Sequence, residues 1–235
     1  MIQTLAETGS TNADLAARLR AGESVVEGDW LVADRQTAGK GRQGRDWFDA
    51  AGNFMGSTVA HLRFGDPEPA SLALLAGLAV HAAVAPHLED GASATLKWPN
   101  DLLVGRAKLA GILLERVNDS VVIGIGVNLA QAPAVADRET VALGGVDRDA
   151  FAAHLERIFA EELERWRHFG LAPVVQRWLA AAHPLGTPLT VGDPEEGVLN
   201  GTFAGLAEDG ALLLRLDDGQ TRAIHAGEVR LTPDA

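Results

Sequence analysis

The chain has 235 residues with 32 acidic against 20 basic side chains, a formal charge of −12, and that balance opposes general nucleic-acid binding, which needs a positive face toward phosphate. Hydrophobic residues make up 47%, enough to build one full domain and a small second one. Cysteine is absent, which excludes thiolate catalysis, Cys-ligated zinc and disulfides.

Met1-Ile2-Gln3 has neither the basic start nor the apolar core of a secretory signal, so a cytoplasmic protein without a membrane anchor is expected. Gln3 to Ala6 reads as a short strand. Thr8-Gly9-Ser10-Thr11-Asn12 then leads into a helix from about Asn12 to Ala21, with Thr11 and Asp14 as a capping pair and Gly22 as the stop. The Ser10 and Thr11 hydroxyls either cap this helix or face a polar ligand beside its free amides.

Trp30 to Asp34 reads as a strand that runs through Arg35-Gln36-Thr37 into Ala38-Gly39-Lys40-Gly41-Arg42-Gln43-Gly44-Arg45-Asp46-Trp47. Three glycines alternating with three cations make a flexible positive loop, whose amides and side chains suit a phosphate or carboxylate. The letters also satisfy G-x-G-x-x-G. A dinucleotide loop opens directly into an apolar helix, however, whereas Asp46-Trp47-Phe48-Asp49 leads into the turn chemistry of Ala51-Gly52-Asn53. No Gly-Lys-Ser or Gly-Lys-Thr occurs, so the P-loop pattern fails as well.

Gly56 to Leu62 reads as the next strand and Leu72 to Val84 as a helix. From Pro69 to Leu88 there is no charged Asp, Glu, Lys or Arg, which by length nominates a membrane span. The Ala and Gly content, with His81, Pro86 and His87, favours a buried helix instead. Ala94 to Val104 and Arg106 to Glu115 form a hairpin broken at Pro99-Asn100-Asp101 and at Gly105. Asp101 and Lys108 each border an apolar run. Either they are a turn residue and a solvated strand end, or they are paired for a purpose.

Val121 to Leu129 is a β-branched strand in which Gly124 and Gly126 imply close approach by a ligand or another backbone, and Asn128 either binds that ligand or ends the strand. Asp147 to Gly170 is an amphipathic helix, followed by a second from Leu171 to Ala182. After about residue 185 come five short strand-like runs, Thr187–Val191, Val198–Ala204, Ala211–Leu216, Thr221–Ala226 and Val229–Leu231. They are separated by turns including Gly192-Asp193-Pro194, and suggest a small β-barrel packed closely on the main domain.

The blocks Gly9-Ser10-Thr11-Asn12, Gln36 to Trp47, Lys97-Trp98-Pro99-Asn100-Asp101, Lys108-Leu109-Ala110-Gly111-Ile112-Leu113 and Gly124-Ile125-Gly126-Val127-Asn128 resemble, in order and spacing, those of the biotin protein ligases (biotin–[acetyl-CoA-carboxylase] ligases). Ala226-Gly227-Glu228-Val229 is similar to the ending of that family's C-terminal SH3-like barrel. The resemblance implies an α+β fold: a mixed-sheet, class II synthetase-like catalytic domain over residues 1–185 with flanking helices, and an SH3-like barrel over 186–235.

It also implies that biotin and ATP, with Mg2+, form biotinyl-5'-AMP and pyrophosphate, and that a lysine of a biotin carboxyl carrier protein then takes the biotin. By the same resemblance, biotin meets Ser10, Thr11, Asn12, Gln36, Gly39, Lys40, Gly41, Arg42, Lys108 and Gly111. ATP or the adenylate meets Arg42, Arg45, Trp47, Asn100, Lys108 and Asn128, with Trp47 stacking on adenine. Arg42, Lys108 and Asp101 are the catalytic candidates, Asp101 to orient or deprotonate the incoming lysine; metal ligands are not assigned. The glycine loop is expected to be mobile when empty and to close over the adenylate.

Lys40 stands where the family commonly has Arg, which keeps the charge but loses a bidentate fork. The first block lies almost at the start, so a ligase without repressor activity is expected; a homodimer is expected by resemblance. The rivals are a lipoate ligase of the same fold and a non-catalytic biotin-binding regulator. An octanoyl transferase would want a cysteine.

Overall fold

Strands rich in Val, Ile and Leu collect into one sheet. The computed structural model describes residues 1–135, 138–193 and 197–232. Its larger sheet contains β1 (Ile2–Leu5), β2 (Trp30–Ala33), β3 (Phe54–His61), β4 (Ala94–Lys97), β5 (Asp101–Val104), β6 (Ala107–Val117) and β7 (Ser120–Val127) in the order β1-β2-β3-β7-β6-β5-β4. Only β1 and β2 run parallel, so the sheet is mixed. The expected hairpin over 94–115 is a three-stranded meander, because both the Pro99-Asn100 turn and the positive-φ Gly105 turn reverse the chain.

Successive strand residues face opposite sides of a sheet, and the two sides are covered unequally here. Val121, Ile123, Ile125 and Val127 of β7 enter the main core with helices α2 (Leu72–Val84) and α3 (Arg148–Phe169). Val122 of β7 and Val59 of β3 face the other way and pack with Leu15 and Ala16 of the short helix α1 (Thr11–Arg20). Beyond α1 this second face carries glycines: Gly111 is opposite Gly126, and Leu113 is opposite Gly124. With no side chains to fill it, that part of the face is a hollow.

The run Pro69–His87 is long and apolar enough to cross a membrane by composition. Its centre is the core helix α2, with Leu72, Leu75, Ala76, Ala79, Val80 and Ala83 fully buried between the sheet and α3. α1 begins one residue earlier than expected. Its N-cap is Ser10, whose extended backbone lets Oγ accept from the Ala13 amide at 3.5 Å. The expected Thr11–Asp14 capping pair does not form, since Asp14 takes the Thr8 hydroxyl at 2.5 Å and Thr11 turns inward to buried partners. α3 is capped by Asp147, and α4 (Ala172–Ala180) lays Val174 and Trp178 on the core.

The C-terminal strands β8 (Pro188–Asp193), β9 (Gly197–Leu206), β10 (Leu212–Leu216), β11 (Thr221–Ile224) and β12 (Glu228–Leu231) form a separate antiparallel sheet, ordered β11-β10-β9-β8-β12. The turn expected at residues 192–194 lies partly outside the described residues. β9 pairs with β8 along its first half and with β10 along its second, which curls the sheet toward a barrel. It packs closely on the first sheet, as expected: the Trp98 indole donates to the Gly210 carbonyl at 3.1 Å, and Trp178 meets Phe203 with ring centroids 6.5 Å apart.

Candidate functional site

Strand register assembles the floor of the hollow. Lys97 is opposite Asp101 across β4 and β5, Asp101 is opposite Gly111 on β6, and Gly111 is opposite Gly126 on β7. Residues directly opposite share a face, so one row across four strands carries a cation, an anion and two bare positions. A register shift between Leu102 and Leu103 brings Lys108 opposite Leu103, onto the same face. Lys108 Nζ then reaches Asp101 Oδ1 at 2.5 Å while Lys97 Nζ reaches Oδ2 at 2.8 Å.

This triad is buried. Asp101 is 7% exposed, which rules out the solvated-turn reading, and the Lys108 side chain at 14% is no solvated strand end. Burial alone would raise the Asp101 carboxyl, but the two ammonium groups outweigh it and hold the acid far below the usual carboxylate range. Lys108 moves down: burial outweighs the pull of Asp101, and Arg138 and Lys97 add to the repulsion. Two lysines share one carboxylate, so a net positive charge sits on the floor.

At one end of the floor lies a polar knot. The Thr11 amide and hydroxyl donate to Gln36 Oε1 at 2.7 and 3.1 Å, and Thr11 Oγ1 meets Ser57 Oγ at 2.7 Å. Ser57 in turn donates to Asn12 Oδ1 at 2.8 Å. The Asn12 Nδ2 donor is buried and has no partner among the described residues. Gly124 is required beside it, because a Cβ there would overlap the Asn12 amide.

The glycine-rich loop arches over the floor. The Gly41 amide donates to the Arg45 carbonyl at 2.6 Å and the Trp47 amide to the Gly39 carbonyl at 2.9 Å, around a 3-10 turn at Arg42–Gly44. Those two amides therefore close the loop on itself, and its cations are what it brings to the hollow. Arg42 donates to Asn100 Oδ1 at 3.2 Å and to the Gly227 carbonyl at 3.0 Å, while Arg45 pairs with Glu228 at 2.7 Å. Asn100 is itself fixed by donating to the Ile112 carbonyl at 2.6 Å. Lys40 pairs with Asp46 in solvent at 3.1 Å.

Trp47 drops from the loop onto the floor. Its ring lies over Gly126 and Gly111, a Cβ at Gly126 would overlap it, and Lys108 Nζ is 5.7 Å from its centroid. The approach that Gly124 and Gly126 imply is thus made here by the side chains of Asn12 and Trp47. The Trp47 Nε1 donor is also buried without a partner among the described residues. Asn128 donates to the carbonyls of Lys108 at 3.4 Å and Val141 at 3.1 Å, tying the segment after β7 to the start of β6.

Together these parts enclose a cavity of about 1080 Å3. Every candidate residue from the sequence lines it except Gly39, which sits behind the loop where a Cβ would press on Gln36 Nε2 and Trp47 Cβ at 3.2 and 3.3 Å. Lys97, Ser57, Glu228, Arg106 and Arg138 also line it and were not singled out. Lys97 had a signal in the four-residue spacing of Lys97 and Asp101 around a Pro-Asn turn; Ser57 had one as a lone hydroxyl in an apolar strand. Glu228 and Arg138 are brought in by the docking of β12 and of the segment after β7, and Arg106 by the turn before β6. Among the described residues, no group of three His, Cys, Asp or Glu could hold a metal ion. Asp101 and Glu228 are already committed to lysine and arginine partners.

The chain that builds this cavity, with its cationic loop over a glycine floor, matches known proteins. Residues 9–128 fit the model of the biotin/lipoate A/B protein ligase family, and residues 185–231 fit that of the biotin protein ligase C-terminal domain. The chain is 39% identical to a biotin–[acetyl-CoA-carboxylase] ligase of Paracoccus denitrificans over 96% of this chain and 98% of that one. It is 35% identical to a ligase of the same name from Mycobacterium tuberculosis, over 97% of this chain and 88% of that one. A solved biotin protein ligase from Aquifex aeolicus, in complex with biotin and ATP, superposes with a TM-score of 0.84 at 26% identity, covering 98% of this chain and 99% of that one.

Proposed function

The chain belongs to the biotin protein ligase family, and we propose that its cavity joins biotin to AMP and then to a lysine of a biotin carboxyl carrier protein. The protein is an ATP-dependent biotin–[acetyl-CoA-carboxylase] ligase with the class II synthetase-like fold and a barrel-like C-terminal domain. The observation that carries the reading is the net positive floor of Lys97, Asp101 and Lys108 beneath a loop that adds Arg42 and Arg45. The fold divides, in this reading, into a catalytic domain over 1–185 and a barrel over 186–235.

In the first step a biotin carboxylate oxygen attacks the α-phosphorus of ATP, and the bond to the bridging oxygen breaks so that pyrophosphate leaves with the electron pair. Two anions must be held together, and the cost is met by fixed positive charge. Lys108 and Arg42 hold the biotin carboxylate against the α-phosphate. The knot of Ser10, Thr11, Asn12 and Gln36 takes the polar ring of biotin, with the unpartnered Asn12 Nδ2 as a donor for its carbonyl. Lys40 and Gly41 close the loop above. Trp47 offers adenine an aromatic face, while Arg45, Asn100 and Asn128 fix the loop and the segment around the nucleotide.

In the second step the acceptor amine attacks the acyl carbon and AMP leaves. Asp101, held far below the ordinary carboxylate range, is a weak base but a strong acceptor of N–H bonds; its role is to keep Lys108 in place and to orient the incoming amine. Magnesium, when bound, would supply charge neutralisation for the triphosphate. Among the described residues no group of three His, Asp or Glu would hold it, so it would be held chiefly through the nucleotide. ATP as co-substrate favours the cytoplasm as the compartment.

Biotin-dependent exchange of labelled pyrophosphate into ATP, followed by transfer to a carrier domain, tests the reading. Exchange that requires lipoate in place of biotin would move the chain to the lipoate ligases, and binding of biotin with no exchange would leave only a regulator. The C-terminal domain match and the two biotin ligase relatives favour biotin.

A further inference from the structure

The two limbs of the glycine-rich loop are laced together by backbone rungs, the Trp47 amide on the Gly39 carbonyl and the Gly41 amide on the Arg45 carbonyl. At the base of the loop a further rung is made differently. The Gln36 amide donates to Oδ1 of Asp49, thirteen residues on, at 3.1 Å. Gln36 lines the cavity, whereas Asp49 stands behind it.

Strand geometry explains why this amide is met by a side chain. The residues on either side of Gln36 pair with the segment that leads into α1. The Thr8 amide donates to the Arg35 carbonyl at 3.1 Å, the Thr37 amide to the Thr8 carbonyl at 2.9 Å, and the Ala38 amide to the Gly9 carbonyl at 2.8 Å. Along a paired strand the backbone groups of successive residues point to opposite edges, so the Gln36 amide turns away from Thr8, toward the exit limb of the loop. Gln36 is only 8% exposed, and a buried amide left without an acceptor is costly. Asp49 supplies that acceptor. Its Oδ2 also meets Arg35 Nε at 3.3 Å, but Arg35 is 58% exposed and is shared with Glu7 at 3.1 Å, so this ion pair contributes little.

The Gln36 side chain is gripped from two sides. Oε1 takes the amide and hydroxyl of Thr11, and Nε2 lies against the loop, 3.2 Å from where a Cβ on Gly39 would stand. Gln36 is therefore a point where the polar knot and the loop touch. A loop lifting from Gly39 onward would pull on Gln36 unless the backbone at Gln36 were fixed from elsewhere.

Resting on the ligase reading above, we propose that Asp49 is a positioning residue for biotin: its carboxylate fixes the Gln36 backbone, so that Gln36 keeps its place in the biotin ring site while the loop above it opens and closes. Asp49 touches neither biotin nor nucleotide and acts through Gln36. What matters is the oxygen that accepts from the Gln36 amide, and the negative charge is secondary.

The test uses the full chain with Asp49→Ala, Asp49→Asn and Arg35→Gln. For each, the Kd for biotin is measured by calorimetry without nucleotide, and kcat with the KM values for biotin and ATP in pyrophosphate exchange. Asp49→Ala should raise the biotin Kd and KM about tenfold, the effect of leaving one buried amide unpaired, with little change in kcat or in the KM for ATP. Asp49→Asn, whose side-chain oxygen still accepts from the Gln36 amide, should recover most of the loss, and Arg35→Gln should leave biotin binding as it is. An unchanged biotin Kd in Asp49→Ala overturns the proposal. So do equal losses for biotin and ATP, which mark general damage to the fold, and an Asp49→Asn variant as weak as Asp49→Ala, which would put the effect in the charge. Wild-type protein that binds biotin without exchange would overturn the ligase reading and leave Asp49 to be judged on the Kd; wild-type protein that binds no biotin would overturn both.

Discussion

The roof and the floor of the cavity are built on different principles. The floor is set on paired strands, with a buried carboxylate gripping two lysines at 2.5 and 2.8 Å. The roof, residues 36–47, is tied to the rim by side-chain contacts of Arg45 with Glu228 and of Arg42 with Asn100 and the Gly227 carbonyl, while Lys40 pairs with Asp46 inside the loop itself. The pairs made by Arg45 and Lys40 are well exposed, at 45% and 52% for the two cations, and such pairs contribute about 0–1 kcal/mol each. The floor is thus ready before substrate arrives, while the roof can lift at little cost. Damage to the floor should alter stability and bond making; damage to the roof should alter what stays bound.

The largest effect is expected at the centre of the floor. Asp101→Asn leaves two buried ammonium groups without their carboxylate, a change of the kind that costs about 3–5 kcal/mol. The pH dependence has a fixed sign. The folded-state acid lies below its ordinary value of 3.8, so the stability it contributes is fully present above that value and is lost as pH falls further. The gap between wild type and Asp101→Asn in urea unfolding should therefore be widest near neutrality and narrow below about pH 4. A gap that stayed constant to low pH would mean that the carboxylate charge is not what holds the lysines.

Lys108→Ala should come next, lowering adenylate formation by about 100- to 1,000-fold, the range for removing one group that stabilises developing charge. Pyrophosphate exchange reads it directly, and exchange near the wild-type level would remove Lys108 from the first step. The unfolding midpoint should move less than in Asp101→Asn, because the remaining pair of Lys97 and Asp101 is balanced.

Gly126→Ala probes the joint between the two regions, since the added methyl overlaps the Trp47 ring. Overpacking of this kind costs about 1–3 kcal/mol. Here Trp47 can swing off the floor with the loop, so tryptophan fluorescence should report a more solvated indole and the KM for biotin should rise. An unchanged spectrum with unchanged KM would show that Trp47 does not rest on this strand in solution.

What the sequence revealed divides along the same line. Periodicity and turn residues located the strands and helices, and α2 was legible to its last residue because an uninterrupted apolar run leaves few choices. The loop was legible from its own letters, since glycine and arginine advertise anion binding locally. The floor was only half legible. Asp101 and Lys108 drew notice as charges beside apolar runs, but their meeting depends on a one-residue slip between β5 and β6 that no local pattern encodes. Ser57 and Glu228 reach the cavity through pairings between distant segments, and Arg138 comes in with the bridge between Lys108 and Thr140. The expected capping pair of Thr11 and Asp14 failed for a related reason: Thr11 had a better partner 25 residues away, in Gln36.

Arg42→Gly should separate the half-reactions on the roof. It removes both the Asn100 contact and the tie to the C-terminal domain while leaving the floor intact. Release of biotinyl-AMP should speed up by about tenfold, near the 1.4 kcal/mol of one charge-assisted bond, with adenylate formation slowed less. Labelling of bystander lysines in a mixed-protein reaction would rise accordingly. If formation and retention fell by equal factors, the roof and the floor would be acting as one unit.

Glu228→Gln is the mildest cut and the most discriminating. Glu228 touches the roof through Arg45 and the segment after β7 through Arg138, at 2.7 and 3.6 Å, while its own strand stays paired with β8. Its carboxyl lies below the ordinary value: burial pushes it up, but Arg45 and then Arg230 and Arg138 outweigh burial. Loss of that one charge should change stability by less than about 1 kcal/mol. It should speed adenylate release about two- to fourfold, because it frees one of the few ties that hold the roof down. Raising the salt concentration should produce the same release in wild type and little further in the variant, since screening and substitution remove the same attraction. A variant as salt-sensitive as wild type would place the ties of the roof elsewhere, in the neutral contacts of Arg42 with Asn100 and the Gly227 carbonyl.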